Sequence, residues 1–549
     1  MLAIPGSLVL VAITLAQAQQ VPPRDVPAAA GTAVVRGRIV AGAAGAPLHR
    51  VRLTLNGPSQ NPPSGVTDTR GEFEISGVPA GTYTLTAARA GYLTTQYGQR
   101  RRGEAGRPIV IAAGETIEKI TMSLQRGGVL AGRVFDDTGE ALAGVRVEAV
   151  ETRYIRGRRV PVAARIGATN DVGEFRLSNL EPGAYQLRAS SRDAWESDDG
   201  KATYVYATTF FPGVAGADQA QNLSVAAGQE IGGLDIRLLS GREARVTGVV
   251  QDASGAPVAG MMVNFGDITR TVGGALQSQG GVGSVRTNER GEFTFDKLAP
   301  GEYMAYGGGP NNTTNATVVL NAGDTKRVVL TPARTPAVAG TVVAEDGSRL
   351  PFAASRVTVT PVDADPENLF TPWAGPNAQS PRPDWTFRIV NMNGQYLFRV
   401  NGLPDDWRLG AVMVGGRDTI DTPLPFARGN PDVEGVQLVL TKKVARLEGQ
   451  VLDGNGTATT DASVILFAEG RASWGIGSRF VKATRPGRDG RFAIAGVPPG
   501  VYRVIAREFV TDGQWDDPEF LQSLLRDAAR VELKEEGTEP VTLTVGVTR

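Results

Sequence analysis

The chain has 549 residues, too long for a single hydrophobic core, because such cores stop growing near about 250 to 300 residues. Its 57 Lys plus Arg balance its 57 Asp plus Glu, so net charge gives no argument for binding nucleic acid or an acidic membrane. The absence of cysteine excludes disulfides, thiolate catalysis and cysteine metal sites. We therefore expect several domains held by their cores alone.

The N-terminus has the features of an export signal. Residues 8–16 are an apolar run, and Ala16-Gln17-Ala18 has the small-x-small cleavage pattern, although no Lys or Arg precedes Arg24. The run is short for a membrane span of about 20 residues, and no later stretch is apolar enough. We predict a signal peptide at 1–18 and a linker at 19–33. The mature chain is then exported to the periplasm, outer surface or medium without a transmembrane span, with a membrane tether as the alternative.

Three motifs recur in the same order along the chain. In the first copy they are "VVRGRIV" (34–40), "TDTRGEFEISGVPAGTYTLTA" (67–87) and "IVIAAGETIEKITMSL" (109–124). The second motif returns at 169–189, 287–307 and 487–506, and in a degenerate form at 390–412, which aligns the glycines Gly71, Gly173, Gly291, Gly394 and Gly490. A period of about a hundred residues indicates an array of whole domains.

The second motif reads as antiparallel strands. Apolar residues such as Phe175, Leu177 and Tyr185 nearly alternate with polar ones, so one face can be buried. Glycine and Pro-Gly positions supply the tight turns between the strands. Many short strands in each repeat predict a β-sandwich.

One helix interrupts the strand pattern in the last repeat. Asp517 can cap it, Pro518 fits its first turn, and Leu521, Leu524 and Ala528 fall on one face. We predict a helix at 517–529 that packs beside the last sandwich.

The three-part pattern resembles the carboxypeptidase regulatory-like domains. This transthyretin-like β-sandwich family is related in shape to starch-binding and collagen-adhesin B-type (Cna-B-like) modules. The resemblance spans 34–546, with a departure in the fourth copy, where Gly394-Gln395-Tyr396 replaces Gly-Glu-Phe and Asp405-Asp406-Trp407 replaces the Pro-Gly-x-Tyr turn. Long bacterial cell-envelope proteins carry similar modules.

The resemblance implies an all-β fold, a tandem array of about five antiparallel β-sandwiches with one short helix in the last repeat. The predicted sandwiches are residues 34–126, 127–241, 242–333, 334–442 (degenerate) and 443–549.

Composition argues against an enzyme. His49 is the single histidine, whereas a zinc peptidase site needs two or three His or carboxylate ligands, so the peptidase domain of metallocarboxypeptidases is absent. The recurring Glu72, Glu174 and Glu292 have no partner at a fixed offset, and we interpret them as exposed residues at strand starts. We predict no catalytic residue, cofactor or metal ligand.

Two kinds of loop left alternatives open. Turns such as "FDDTGEA" (135–141) and "DGNGT" (453–457) could gather oxygen ligands for calcium, but they lack the spaced 12-residue pattern, and turn formation by Asp and Asn is favoured. The basic runs Arg100-Arg101-Arg102 and Arg156 to Arg159 are expected to be solvated loops rather than partner sites.

Aromatic residues in the non-repeated stretches are the candidate binding residues. Such rings can stack on sugars, while neighbouring polar groups bind the hydroxyls. Alternatively, they cap the sandwich ends or fill joints between domains. The candidates are Trp195, Tyr204, Tyr206, Trp373, Trp385, Trp474 and Trp515.

We therefore predict a non-catalytic, exported, multidomain binding protein that recognises carbohydrate, most simply a polysaccharide, through its loops. The alternative is a structural stalk or adhesin-like module that binds cell-envelope proteins. An enzyme is the third and least favoured hypothesis. No nucleic acid partner is expected.

Overall fold

The computed structural model describes residues 31–546, apart from 43–44, 58–61, 100, 102–103, 105, 156, 271–275, 310–311, 366–375, 405, 488 and 536. The predicted signal peptide at 1–18 and nearly all of the linker at 19–33 lie outside the described residues. The described chain is a tandem array of five β-sandwich units, each with its own apolar core, as the sequence predicted.

The strands of unit 1 are β1 (Ala33–Ala41), β2 (Ala46–Pro47), β3 (Arg52–Asn56), β4 (Ser64–Val66), β5 (Glu72–Val78), β6 (Gly81–Ala88), β7 (Thr95–Gln96), β8 (Ile109–Ile111) and β9 (Thr116–Leu124). One sheet centres on β1, which pairs with β2, β5 and β9. The other runs β4-β3-β6-β7, with β8 also on β6. The two sheets enclose one core between them.

The strands of unit 2 are β10 (Gly128–Phe135), β11 (Arg146–Ile155), β12 (Arg158–Ala168), β13 (Glu174–Leu180), β14 (Gly183–Ser190), β15 (Ala194–Glu196), β16 (Thr203–Tyr206), β17 (Thr209–Phe210), β18 (Leu223–Val225), β19 (Glu230–Ile231), β20 (Ile236–Arg237) and β21 (Ser240–Arg242). Its sheets are β13-β10-β19, with β20 on β10, and β12-β11-β14-β17, with β18 on β14. A third small sheet, β15-β16-β21, is special to this unit.

The strands of unit 3 are β22 (Ala244–Val250), β23 (Met262–Arg270), β24 (Leu276–Arg286), β25 (Glu292–Leu298), β26 (Gly301–Gly309), β27 (Asn312–Leu320), β28 (Thr325–Leu330) and β29 (Ala333–Arg334). Its sheets run β25-β22-β28 and β24-β23-β26-β27-β29.

The strands of unit 4 are β30 (Val338–Ala344), β31 (Thr358–Asp363), β32 (Thr386–Ile389), β33 (Gly394–Asn401), β34 (Arg408–Val414), β35 (Arg417–Asp418), β36 (Leu424–Phe426) and β37 (Val433–Thr441). Its sheets run β32-β30-β37-β34-β35 and β31-β33-β36. The hairpin β34–β35 widens the first sheet beyond that of the other units.

The elements of unit 5 are β38 (Ala445–Leu452), β39 (Ser463–Ala468), β40 (Val481–Thr484), β41 (Arg491–Val497), β42 (Gly500–Arg507), α1 (Pro518–Leu524), β43 (Ala529–Leu533) and β44 (Thr538–Thr544). Its sheets run β41-β38-β44 and β40-β39-β42-β43.

The first strand of each unit pairs in parallel with a strand near the end of the unit, which is β9, β19 and β20, β28, β37 or β44. In unit 1, β1 is antiparallel to β5 but parallel to β9, and the same holds for β38 with β41 and β44. Parallel neighbours need a long connection, and the whole second sheet provides it. The sandwiches are therefore antiparallel except at this one pairing.

A glycine recurs at the middle of each first strand, where an added side chain would have no room. A Cβ on Gly37 would lie 2.2 Å from the carbonyl oxygen of Ile120, and one on Gly340 would lie 1.9 Å from that of Val436. Gly132 and Gly449 approach the backbone of their parallel neighbours in the same way, whereas a Cβ on Gly248 would meet the Phe293 ring. The motif glycine of the first strand is thus a packing requirement.

The repeated tyrosine locks the Pro-Gly-type turn before it. The Tyr83 hydroxyl donates to the carbonyl oxygen of Pro79 at 3.0 Å, and Tyr502 donates to that of Pro498 at 2.7 Å. Both rings are 1% exposed. The tyrosine therefore fills the core with its ring and ties down the turn with its hydroxyl.

Unit 4 has the same arrangement of strands, but its residues align with the second motif differently from the prediction. The Val342 N–H donates to the carbonyl oxygen of Trp385 at 3.0 Å, as the Ile39 N–H donates to that of Gly71 at 2.8 Å. Trp385 has φ 66°, close to the 76° of Gly71. Trp385 therefore takes the place of the motif glycine, and the predicted alignment of Gly394 with Gly71 is wrong.

Gly394 and Tyr396 instead match the later Gly-x-Tyr of the motif. The Tyr396 hydroxyl donates to the carbonyl oxygen of Asn393 at 3.2 Å, and the ring is 3% exposed. Trp407 does not replace a turn but lies buried in the core, just before the added hairpin. The copy looked degenerate because a tryptophan occupies a left-handed position that usually holds glycine.

The helix is shorter than the predicted 517–529. Its cap is as expected, since the Asp517 carboxylate accepts from the Glu519 N–H at 2.9 Å. The helix ends at Leu524 because Ala529 already pairs with Val504 in the adjoining sheet. Leu521 and Leu524 are buried against unit 5, as predicted.

Candidate functional site: the joints between units

Two of the predicted binding residues form a stack on unit 2. The rings of Trp195 and Tyr204 lie 5.9 Å apart and nearly parallel, and the Tyr206 ring lies 4.6 Å from Trp195. Tyr206 is 7% exposed, whereas Trp195 and Tyr204 are half-buried. The small third sheet of unit 2 thus holds a Trp–Tyr pair that keeps part of its surface in solvent.

Trp474 and Trp515 are packing residues of unit 5. Both are half-buried in the apolar cluster that holds α1 against β39. The Trp474 indole donates to the carbonyl oxygen of Ala468 at 2.7 Å, and its ring meets Phe467 edge to face at 5.6 Å.

One further described candidate, Trp385, lies in unit 4. Trp385 is half-buried, with its ring 5.8 Å from Phe352, and Trp373 lies outside the described residues. The six described candidates therefore occupy three different units and do not form a single patch. Each packs against the core or the helix of its own unit.

The array folds back so that unit 5 contacts unit 1. In the loop after β7, the Glu104 carboxylate lies 2.8 Å from the Arg485 guanidinium, and these side chains are 5% and 4% exposed. Arg485 also donates to the carbonyl oxygen of Gly98 at 2.9 Å. We call Glu104–Arg485 the closing pair, because it joins the first unit to the last.

Two further arginines of the same loop reach unit 5. Arg107 donates to the Thr460 hydroxyl at 2.6 Å and lies 3.7 Å from the Asp461 carboxylate. Arg101 forms an ion pair with Glu508. The Arg101 side chain is 52% exposed, so it stays in solvent as expected, while it also reaches the last unit of its own chain.

The hairpin β11–β12 of unit 2 also touches unit 5. A Cβ on Gly157, at the hairpin tip, would lie 2.3 Å from the carbonyl oxygen of Asp516. A Cβ on Gly513 would lie 3.1 Å from that of Tyr154. Backbone meets backbone at this joint, so side chains larger than glycine do not fit at the tip.

Unit 4 meets unit 5 through arginines around one carboxylate. The Arg479 guanidinium binds Asp421 with two donors, at 3.1 and 2.7 Å. From unit 4, Arg399 donates to the carbonyl oxygen of Gly477 at 2.7 Å. Such forked contacts fix orientation as well as distance.

Buried charges also lie between units 2 and 3. Glu148 and Arg188 of unit 2 form an ion pair with side chains 3% and 10% exposed. Asp267 of unit 3 faces them, and burial raises the pKa of its carboxyl to about 6, with Arg188 opposing the rise and Glu148 adding to it. This joint is therefore sensitive to protonation.

The residues weighed for catalysis and calcium lie in ordinary surface settings. His49, Glu72, Glu174 and Glu292 are exposed. In the turn after β10, Asp136 accepts from the Thr138 N–H at 2.9 Å and from the Glu140 N–H at 2.7 Å. Burial acts to raise the pKa of the Asp136 carboxyl, but the Thr138 hydroxyl and these N–H groups outweigh it and lower that pKa. These bonds give the aspartate a turn-forming role.

Within the described part of the chain, no group of three or more His, Asp or Glu is arranged to hold a metal ion. The same residues contain no helix that is long and apolar enough to cross a membrane.

Sequence reasoning missed the joint residues. Their one visible signal is the charged stretch "RRRGEAGR" (100–107), which belongs to none of the repeated motifs. Nothing in that stretch points to Arg485, which follows it by nearly four hundred residues and contacts Gly98 at a sequence separation of 387.

Comparison with known proteins identifies the first unit. Residues 34–125 match the family model of the carboxypeptidase regulatory-like domain. No curated protein sequence matches the chain.

Solved structures give weak whole-chain similarities. A streptococcal ancillary pilin is 12% identical, with 55% of this chain and 98% of that chain covered and a TM-score of 0.19. The minor pilin of Streptococcus agalactiae is 16% identical, with 38% and 95% covered and a TM-score of 0.21. A cohesin–X-dockerin complex from Acetivibrio cellulolyticus is 28% identical, with 18% and 59% covered and a TM-score of 0.14. Superpositions this poor carry no functional argument.

Proposed function

We propose that the protein is a non-catalytic structural module that acts through protein–protein contacts. Its first unit is a carboxypeptidase regulatory-like domain, and four more sandwiches follow it. The observation that carries the proposal is the closing pair, Glu104–Arg485, which joins the two ends of the array. The non-repeated loops contact other units of the same chain. These contacts support a function as a scaffold whose two ends are joined.

Composition supports a role without catalysis. The chain has one histidine and no cysteine, so it lacks the residues for the common nucleophilic and zinc-dependent hydrolytic sites. The export signal proposed at 1–18 would place the scaffold in the cell envelope or outside the cell.

Small-angle X-ray scattering of the full chain tests the closed scaffold. A compact chain of 549 residues has a radius of gyration of roughly 24 Å. Five sandwiches in a row, each about 30 Å long, would form a rod with a radius of gyration of roughly 40 Å or more. A value near that of the rod would refute closure.

A cysteine cross-link tests the same contact directly, because the natural chain has no cysteine to compete. The double variant R101C/E508C replaces an ion pair across the joint. It should form an intramolecular disulfide under mild oxidation. The matched control R101C/E74C places its second cysteine on the outer surface of unit 1 and should stay reduced. Equal cross-linking in both variants would contradict a defined joint.

Carbohydrate binding is the second candidate, and the half-buried Trp195–Tyr204 stack favours it. An array of polysaccharides should then show binding that Tyr204→Ala removes and Tyr204→Phe retains, because stacking requires the ring and not the hydroxyl. Silence across the array would leave the scaffold as the sole candidate, and equal binding by both variants would exclude the Trp195–Tyr204 stack as the sugar site.

A further inference from the structure

A cleft of about 450 Å³ lies at the joint between units 4 and 5. Unit 4 forms one wall with the end of β33, the loop that follows it and the start of β34, and unit 5 forms the other with residues 477–479, 482, 495–496 and 498. The titratable residues among its described lining are all cations: Arg399, Arg408, Arg479 and Lys482. We call it the cationic cleft.

One carboxylate holds two of these cations in place. Asp421 accepts the forked bond from Arg479 and lies 3.6 Å from Arg399. Arg399 is further fixed by donating to the carbonyl oxygens of Gly477 and Ile420, each at 2.7 Å. Bonds to the protein therefore hold the guanidinium groups of Arg399 and Arg479 in fixed positions at the cleft.

The remaining cations are less well balanced. Among the described residues, no carboxylate lies within ion-pair distance of Lys482, whose side chain stays accessible in the cleft. Arg408 donates to the carbonyl oxygen of Lys443 at 2.6 Å, while Glu345 and Glu535 act on it electrostatically from outside the cleft. Of the four cations, Arg399 and Arg479 contact one carboxylate, that of Asp421. The cleft therefore has at least two positive charges in surplus.

Partial burial and repulsion between neighbouring cations destabilise the charged forms of Lys482 and Arg399. Neighbouring protein atoms shield the Lys482 ammonium from part of the solvent and so lower its pKa, and the nearby Arg399 lowers it further. Burial likewise lowers the pKa of Arg399, with Asp421 opposing and Arg479 adding to the effect. A bound anion would offset the repulsion, because it supplies the missing negative charge.

We propose that the cationic cleft is a binding site for a phosphate group, with Lys482 as its principal contact. A phosphate monoester carries a charge of about −1.5 to −2 near neutral pH, which matches the surplus of the cleft. The Lys482 ammonium supplies up to three donors to its oxygens. The volume of the cleft also leaves room for the group that the phosphate is attached to.

Titration of inorganic phosphate into the full chain at about 0.05 M salt, followed by calorimetry and by thermal unfolding, tests the site. Phosphate should bind and raise the unfolding temperature, and raising the salt to about 0.5 M should weaken binding. Lys482→Gln should weaken binding about tenfold, as expected for loss of one charge-assisted hydrogen bond.

The matched control is Lys201→Gln, which removes a lysine charge from a side chain that is 81% exposed on unit 2. It should bind phosphate within about twofold of the natural chain. Absence of phosphate binding, or equal binding by the Lys482→Gln variant, would overturn the proposal. Lys482→Gln removes a repelled cation, so its unfolding temperature without phosphate should not fall, which separates lost binding from lost folding.

A second arm with glucose 1-phosphate distinguishes the source of the phosphate. Tighter binding than inorganic phosphate, lost in Lys482→Gln, would assign the cleft to a phosphate carried on a sugar. Equal binding, also lost in that variant, would assign it to free phosphate.

Discussion

The repeated parts of the molecule and its non-repeated parts have different tasks. Glycines such as Gly37 and Gly449 and tyrosines such as Tyr83 and Tyr502 recur because every sandwich needs the same close strand contact and the same locked turn. Glu104 lies outside the repeated motifs, and its pair with Arg485 joins units rather than builds them. The repeats therefore encode the fold, and the loops between them encode how the five units are arranged.

The largest expected effect comes from the repeated part. In Gly449→Val the new side chain would start 2.2 Å from the carbonyl oxygen of Val541 and meet the Phe492 ring. We expect a loss on the order of 5 kcal/mol in the free energy of unfolding of unit 5, because strand and ring cannot both move away. Chemical denaturation measures it. Gly454→Ala, with no atom within 4 Å of the new Cβ, is the control and should change little. Equal stability of the two variants would show that the space at Gly449 is not required for packing.

The next effect comes from the non-repeated part. Glu104→Ala leaves Arg485 buried without the carboxylate of the closing pair, and losing one member of a buried pair costs about 3 to 5 kcal/mol. This energy comes from the joint, so unit 5 should separate from unit 1 while each unit stays folded. Scattering should show a larger radius of gyration with unchanged circular dichroism.

Glu74→Ala provides the matched control for that experiment. It removes a carboxylate from the same unit, but from a surface ion pair with Arg36 in which the two side chains are 52% and 49% exposed. Exposed pairs contribute between about 0 and 1 kcal/mol, so the radius should not change. An unchanged radius in Glu104→Ala as well would show that the closing pair does not hold the array together.

The difference between repeated and non-repeated parts also explains which features of the structure could be predicted from the sequence. The five sandwiches followed from residues such as Gly71 and Tyr83, because turn and core positions repeat with their chemistry intact. The motif pattern aligns unit 4 one strand too late, since Trp385 occupies a left-handed position that sequence patterns associate with glycine. The apolar pattern predicts too long a helix because Leu525 and Ala528 continue its apolar face, while strand pairing from Ala529 ends it.

The joints could not be predicted for a different physical reason. Periodicity and turn chemistry act over a few residues, whereas Arg485 and Gly98 are 387 positions apart. Each charged side chain looks like an exposed surface residue until its partner is known. The aromatic candidates carried the same ambiguity, since a tryptophan such as Trp474 can stack on a ligand or hold a helix.

A joint between units should respond to pH where its buried carboxyl titrates. Asp267 has a pKa of about 6, raised from 3.8 mainly by burial, so it binds its proton more tightly in the folded chain than in the unfolded one. Stability of the joint between units 2 and 3 should therefore fall as pH rises from about 4 to about 6, by at most about 3 kcal/mol. Denaturation at several pH values measures the slope. Asp267→Asn should flatten it, and a slope that survives this change would place the titrating group elsewhere.

The smallest expected effect returns to the repeated part, in a comparison between two units. Tyr83→Phe removes a hydroxyl that donates to Pro79 at 3.0 Å and leaves the buried ring in place, so unit 1 should lose about 1 kcal/mol of unfolding free energy. Tyr396→Phe in unit 4 removes a 3.2 Å hydrogen bond to the carbonyl oxygen of Asn393, which lies three residues before the tyrosine rather than four. Because that bond is longer and its turn lacks the Pro-Gly sequence, the loss in unit 4 should be smaller. Denaturant midpoints of the two variants decide the order, and a larger loss in unit 4 would mean that its altered turn depends more on the tyrosine than the regular turns do.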